Sequence, residues 1–311
     1  MAICKTYEEL SAALQVCAPL LMLDSLELNA DVRSAVGVKA VSMNESVFQG
    51  HFPGAPVVPG VLQVAGMAQG AQMLFDLLFP GEGRPWLKSL RRVKFRTPVQ
   101  PGMLLKLSFE VSAENGDGSV DFLVKNTAED GSLCSSGTIC LERRPKDFFH
   151  PAPAAGECPF TAELATMQKY AAVQLMEYIP HRYPFMLLDC AYGLKMDSSY
   201  GVKNVTGGDP LVSASSPACY PGYLQIEAGA QLGCAAMLSQ PENQGLLGFF
   251  MSIDEAEFLR PVLPGERLVF HACCEPKGRF GIAHGTFTVG GETVTSGCIK
   301  FALVPREQAE K

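Results

Sequence analysis

The sequence predicts an α+β protein built from two tandem copies of one domain, each an antiparallel sheet wrapped around a single helix. Three observations predict it. Segments recur in the same order about half a chain apart, each copy holds one long helix that is apolar nearly all round, and runs of alternating character follow that helix. A helix without a polar face has to be enclosed on most sides, and a curved sheet does this with the fewest elements.

The repeat is legible directly. "APLLMLD" (Ala18 to Asp24) returns as "YPFMLLD" (Tyr183 to Asp189), and "GVKAV" (Gly37 to Val41) as "GVKNV" (Gly201 to Val205). "PGVLQVAGMAQ" (Pro59 to Gln69) returns as "PGYLQIEAGAQ" (Pro221 to Gln231), and "FRTPVQPG" (Phe95 to Gly102) as "FLRPVLPG" (Phe258 to Gly265). The offset drifts only from 165 to 162 residues, so this is a duplicated domain and not a solenoid of small units.

Each copy is expected to open with a short helix, Thr6 to Val16 and Thr161 to Tyr178, with a threonine as cap. A strand near the MLLD segment and a second near GVKxV come next, then a loop and the apolar helix. The late strands are "LKLSFEVSA", "VDFLVKN" and "GTICLE" in the first copy and "LVFHACCE", "IAHGTFTV" and "GCIKFALV" in the second, separated by Gly/Asp turns. Between the copies, "RPKDFFHPAPAAGECP" (Arg144 to Pro159) holds four prolines and reads as a linker. The expected division is therefore 1–143, a linker 144–159, and 160–311.

Composition excludes several classes. With 25 basic against 32 acidic residues the net charge is −7 and the pI about 5.3, which argues against a nucleic-acid partner. The apolar run Val61 to Phe79 is interrupted by Gln63, Gln69, Gln72 and Asp76, so it reads as a core helix and not a membrane span. "MAICKTYEELSAAL" lacks the basic and apolar regions of a signal peptide, and a cytoplasmic location is expected. The 11 cysteines are scattered, with no zinc spacing, and neither a metal nor another cofactor is expected.

"NESVFQGHFPGAPVVPGVL" (Asn44 to Leu62), "YIPHRYPFMLLD" (Tyr178 to Asp189) and "IEAGAQ" (Ile226 to Gln231) together resemble the β-hydroxyacyl-[acyl-carrier-protein] dehydratases of the FabA/FabZ group. The resemblance implies the hotdog fold, here as a double hotdog whose two units form an intramolecular pseudo-dimer. It also implies a histidine in His-Phe-Pro-Gly and an acid five residues after the Pro-Gly that starts the central helix. The first copy has His51 but Ala65 at the acid position, and the second has Glu227 but, counting back from its Pro-Gly, Ser213 at the histidine position. Because paired units in the family each lend one group to a site, His51 and Glu227 are expected to form one composite site. Ser213 and Ala65 are expected to meet in a second, degenerate one.

Eliminating water from a β-hydroxyacyl thioester requires a base for the Cα proton and an acid for the departing hydroxyl. Imidazole, with an ordinary pKa of about 6.5, suits the first task. Glu227, flanked by Ile226 and Ala228, is expected to have its pKa raised by desolvation and to serve as the acid. By the same analogy the Gly60 N–H faces the thioester carbonyl, the Val57 carbonyl orients His51, and Gln231 supports Glu227 one helical turn away. His181 is expected to shape the substrate tunnel, while His150, His271, His284 and the Cys273–Cys274 pair receive no role. A thioesterase, or a noncatalytic acyl-binding subunit, remains an alternative on the residues alone. The resemblance further implies an acyl carrier protein or coenzyme A thioester as substrate, and association of the pseudo-dimers into homo-oligomers. Since such carriers are acidic, Arg92, Lys94 and Arg96 in "KSLRRVKFR" are the candidate docking residues, expected on one strand face by their period of two. The matching "SIDEAEF" is acidic instead.

Overall fold

Alternation decides where the sheet's two faces go. In Ser34–Ala40 and Leu104–Glu114, for example, every second side chain is buried at the core end. The computed structural model describes residues 2–150, 161–243, 245–278 and 280–305. The first copy contains β1 (Ala2–Thr6), α1 (Tyr7–Leu14), β2 (Ser25–Asn29), β3 (Ser34–Ala40), α2 (Gly60–Leu78), β4 (Arg84–Phe95), β5 (Leu104–Glu114), β6 (Val120–Ala128) and β7 (Leu133–Arg144). The second contains α3 (Thr161–Leu164), β8 (Lys169–Ala171), α4 (Ala172–Tyr178), β9 (Cys190–Tyr192), β10 (Ser199–Asn204), α5 (Pro210–Ser213), α6 (Gly222–Leu238), β11 (Leu246–Phe258), β12 (Arg267–Lys277), β13 (Phe280–Val289) and β14 (Glu292–Pro305).

All strands join one antiparallel sheet in the order β1-β2-β3-β5-β6-β7-β4-β11-β14-β13-β12-β10-β9-β8. The order is palindromic about the β4–β11 pair, where the copies meet edge to edge as the sequence predicts for a pseudo-dimer. At that seam Ile253 pairs with Val93 and Ala256 with Leu90, all four fully buried. Joining there leaves neither copy with a free central edge, which would otherwise invite aggregation.

α2 and α6 are the two enclosed helices. The polar interruptions in α2 have partners: Gln69 donates to the Leu20 carbonyl at 2.7 Å and accepts from the Met22 N–H, Gln63 accepts from Ser135 at 2.7 Å, and Asp76 pairs with Arg143. The copies do not open as expected. In the first copy the edge strand β1 precedes α1, and in the second the single turn α3 and the edge strand β8 precede α4, so the predicted continuous helix Thr161 to Tyr178 is broken by β8, whose backbone pairs with β9. Pairing with a waiting sheet edge outweighed local helical propensity. A reciprocal capping box between Thr6 and Glu9 starts α1, whereas Thr161, the expected cap, is the first residue of α3. Of the predicted linker, Phe148 and Phe149 pack against Trp86 of the first copy, and 151–160 lie outside the described residues.

Candidate active site

The loop Ser42–Pro59 of the first copy and the segment Ile179–Phe185 of the second cross in close contact. The Arg182 N–H donates to the Gly50 carbonyl at 3.1 Å, and a Cβ at Gly50 would lie 2.1 Å from the Arg182 carbonyl oxygen. Only glycine allows that approach. The crossing brings His51, His181 and Glu227 together with their nitrogen and carboxylate oxygen atoms within 4.8 Å of one another. Their exposures are 9 %, 8 % and 4 %, so the cluster is shielded from water.

His51 Nδ1 lies 2.7 Å from the Val57 carbonyl oxygen. A carbonyl only accepts, so Nδ1 carries the proton and Nε2 presents its lone pair. The ring stacks on Phe52 with centroids 3.9 Å apart and meets Phe185 edge-on at 5.4 Å. This burial, reinforced by the neighbouring His181, pushes the His51 pKa down to about 4, against the opposing pull of Glu227. Glu227 projects from α6, where its Oε1 accepts from Gln231 Nε2 at 3.1 Å and stands 3.4 Å from His181 Nε2. Gln231 is itself pinned, donating to the Phe185 carbonyl and accepting from the Leu187 N–H. α2 starts at Gly60, where a Cβ would come within 2.9 Å of the Phe95 ring; the Leu62 and Gln63 N–H groups donate to the Pro59 carbonyl, and those of Gly60 and Val61 precede the first intrahelical acceptor.

Three sequence expectations need correction. Burial does push the Glu227 carboxyl up, but the hydrogen bond and charge of His181, with His51 and Gln231, hold it below the usual carboxylate range. The sequence showed its apolar helix neighbours and not the imidazole reaching in from another element. Second, Ser213 does not meet Ala65. Ser213 is the exposed end of α5 and bonds back to the Asp209 carbonyl. The backbone contact equivalent to Arg182–Gly50 is Cys17 N–H to the Ala214 carbonyl at 2.8 Å, so Ser215 occupies the place of His51. The offset of 164 residues that pairs Gly37 with Gly201 still pairs Gly50 with Ala214, and the loop is shortened by two residues only after that point. Ser215 and Ala65 line one cavity, and Val16 stands in it where His181 stands in the first.

Third, Arg92 does not share one regular strand face with Lys94 and Arg96. β4 and β11 are neighbours, with Lys94 opposite Ser252 and Arg91 opposite Glu255. A bulge between Arg91 and Lys94, with Arg92 at φ 52°, breaks the period-two argument for Arg92. Arg92, Lys94 and Arg96 are all exposed, and Lys94 and Arg96 lie on the strand face opposite Phe95 and Gly60.

Among the described residues, His51, His181 and Glu227 also have the spacing to hold a divalent cation. A cation there would occupy the Nε2 lone pair on which any base function of His51 depends. His181 is the site residue whose role the sequence reading missed. A signal existed: at the offset of 165 its counterpart is Val16, so it differs between copies as His51 and Glu227 do.

Residues 28–138 match the ApeI dehydratase family model and 179–298 the FabA-like domain, one in each copy. The 3-hydroxyacyl-[acyl-carrier-protein] dehydratase FabZ of Natranaerobius thermophilus is 39% identical over 137 residues, an alignment spanning 43% of this chain and 96% of that protein. The chain belongs to the FabA/FabZ dehydratase family. The FabZ of Symbiobacterium thermophilum is 41% identical over 133 residues, 42% of this chain and 94% of its own length. Each relative thus spans about one copy of this two-copy member of the family. Solved double-unit folds align along nearly the whole chain. The dehydratase domain from the CurJ module of curacin polyketide synthase covers 92% of this chain and 97% of itself, with a TM-score of 0.66 and 12% identity. That of RzxB from Pseudomonas fluorescens covers 91% and 98%, with a TM-score of 0.62 and 16% identity. At such identity these share the fold. No helix of the described residues is long and apolar enough to cross a membrane.

The low His51 pKa makes stability depend on pH. The folded value lies below the unfolded value of about 6.5, so the unfolded chain binds the proton better. Stability present above pH 6.5 is therefore lost as pH falls toward 4, by about 3 kcal/mol from this group. His51→Gln should flatten the decline in melting temperature between pH 7 and 4, and equal declines in both proteins would contradict the buried neutral imidazole.

Proposed function

We propose that this chain eliminates water from a β-hydroxyacyl thioester to form the trans-2-enoyl thioester, in fatty-acid or polyketide-type synthesis, at one composite site. The reading rests above all on one contrast. His51 and Glu227, from different copies, meet in a buried cluster, while the mirror-related cavity holds Ser215 and Ala65. We take 1–143 and 160–311 as the two units and 144–159 as the join.

In this mechanism His51 Nε2 removes the Cα proton, for which the Val57 bond has already selected the tautomer. Charge developing on the thioester oxygen is met by the N–H of Gly60 at the start of α2. The C–O bond breaks as the Glu227 carboxyl delivers a proton to the hydroxyl, which leaves as water. His181 Nε2, 3.4 Å from Glu227 Oε1, holds and orients the carboxyl for that transfer. His51 and Glu227 are close enough for the product water to carry the proton back and reset the site. The chemistry needs no cofactor.

The assay is direct. A β-hydroxyacyl thioester should yield enoyl product, whereas free acid would identify a thioesterase and binding without conversion a noncatalytic subunit. The acyl group's carrier is an acyl carrier protein, docking at the exposed Arg92, Lys94 and Arg96. Arg92→Glu with Lys94→Glu should raise KM for a carrier-bound substrate several-fold and leave a short carrier-free thioester unchanged. Equal losses on both substrates would assign the patch to the fold, and no loss on either would place docking elsewhere.

A further inference from the structure

The second cavity keeps its space while lacking the chemistry. It measures about 650 Å³, within the range of small-molecule sites. Val16, Ser215 and Ala65 replace the two imidazoles and the carboxylate of the first site, and the cavity persists although Tyr220 and Tyr223 stand in its wall where the first copy has Val58 and Val61. The space opens to solvent past the exposed Ala13, Gln15 and Ser216, and its wall mixes small residues, Ala65 and Ala68, with aromatic ones, Trp86 and Tyr223, as small-molecule sites do. Its apolar lining includes Leu20, Ala65, Ala68 and Tyr220.

Charge is added at the other end. Arg84 and Lys146 line the cavity, and the second copy has Leu247 at the position of Arg84. The Arg84 guanidinium is fixed by donating to the Ser216 carbonyl at 3.0 Å and the Leu14 carbonyl at 3.3 Å, with donors left over. It also lies over the Phe149 ring at 5.5 Å. The carboxylate in the wall, Asp76, is already paired with Arg143 at 2.8 Å. The end near Arg84 is therefore electropositive.

We propose that this second cavity is a noncatalytic binding site for a medium-length acyl chain with an anionic head group, the chain lying along α2 and the head at Arg84 and Lys146. This binding does not depend on the reaction assigned to His51, and a binding measurement tests it separately from turnover. Two sources of the ligand share the chemistry, a free fatty acid and an acyl phosphopantetheine. Saturated probes, decanoate and decanoyl-phosphopantetheine, would be titrated into the full chain by calorimetry, with stoichiometry checked by native mass spectrometry and decanoyl-pantetheine as the uncharged control.

A second equivalent of at least one anionic probe should bind beyond the one at the composite site. Ala68→Trp should abolish that second equivalent and change turnover less than twofold. Leu14→Trp serves the same purpose if Ala68→Trp does not fold. Arg84→Glu should weaken the second equivalent at least tenfold, and the stronger-binding probe identifies the source. A single equivalent in the unmodified protein, or two equivalents that survive both tryptophan variants, would overturn the site. Equal second-site binding of the uncharged control would overturn the role given to the cations.

Discussion

His51→Ala and Glu227→Gln should each lower dehydration by about 10²- to 10⁴-fold, the usual effect of removing a general base or acid. The two losses should not multiply in the double variant, because both residues serve one proton circuit at one site. Ser215→Ala and Ala65→Val should stay within twofold of the unmodified rate, since neither supplies an ionisable group to the second cavity. The rates would be read from enoyl product formed from a β-hydroxyacyl thioester. A Glu227→Gln protein with full activity would sink the composite site, and a large loss in Ser215→Ala would mean that the second cavity also turns over substrate. His181→Ala should fall between these groups, reducing kcat more than KM, because the Glu227 carboxyl would lose the partner that holds and orients it.

Replacing Ile253 by aspartate should be among the most destabilising single changes in the molecule. Ile253 is fully buried and pairs directly with Val93 across the seam between the copies. The substitution removes a buried aliphatic chain and puts an unpaired carboxyl into its place, a cost of about 4 kcal/mol or more. In a chain of this size that lowers the melting temperature by roughly 6 °C or more. Glu255→Gln, at an exposed seam position, should shift melting little. Activity should fall with the seam, because His51 and Glu227 belong to opposite sides of it. An Ile253→Asp protein with an unchanged melting curve would mean that the β4–β11 pairing does not hold the copies together.

Much of this was legible in the sequence because a duplicated domain supplies its own comparison. Each copy shows which positions the other has changed, so the loss of an acid at Ala65 and its presence at Glu227 could be read without coordinates. The same comparison misled at Ser213, where counting back from the helix start ran through a two-residue deletion. Backbone pairing of Cys17 with Ala214 places the deletion after Ser215, because hydrogen-bond register is set by three-dimensional neighbours and not by the nearest motif. The docking segment misled for a related reason. Period two presumes a regular strand, and the bulge at Arg92 is a property of the pairing with β7.

By itself the sequence determined the duplication, the enclosed helix of each copy, the order of the late strands and the pairing of His51 with Glu227. The first three follow from periodicity and motif spacing, which are local quantities carried along one chain segment, and the pairing of the two residues from the family resemblance. Only the tertiary structure decided the protonation of the site and the membership of His181. A pKa depends on every charge and dipole within a few ångströms, and three of the groups around Glu227 come from a loop of one copy, a crossing segment of the other and its own helix. No segment read alone contains that meeting, so the apolar neighbours of Glu227 pointed to a raised pKa where the assembled site lowers it.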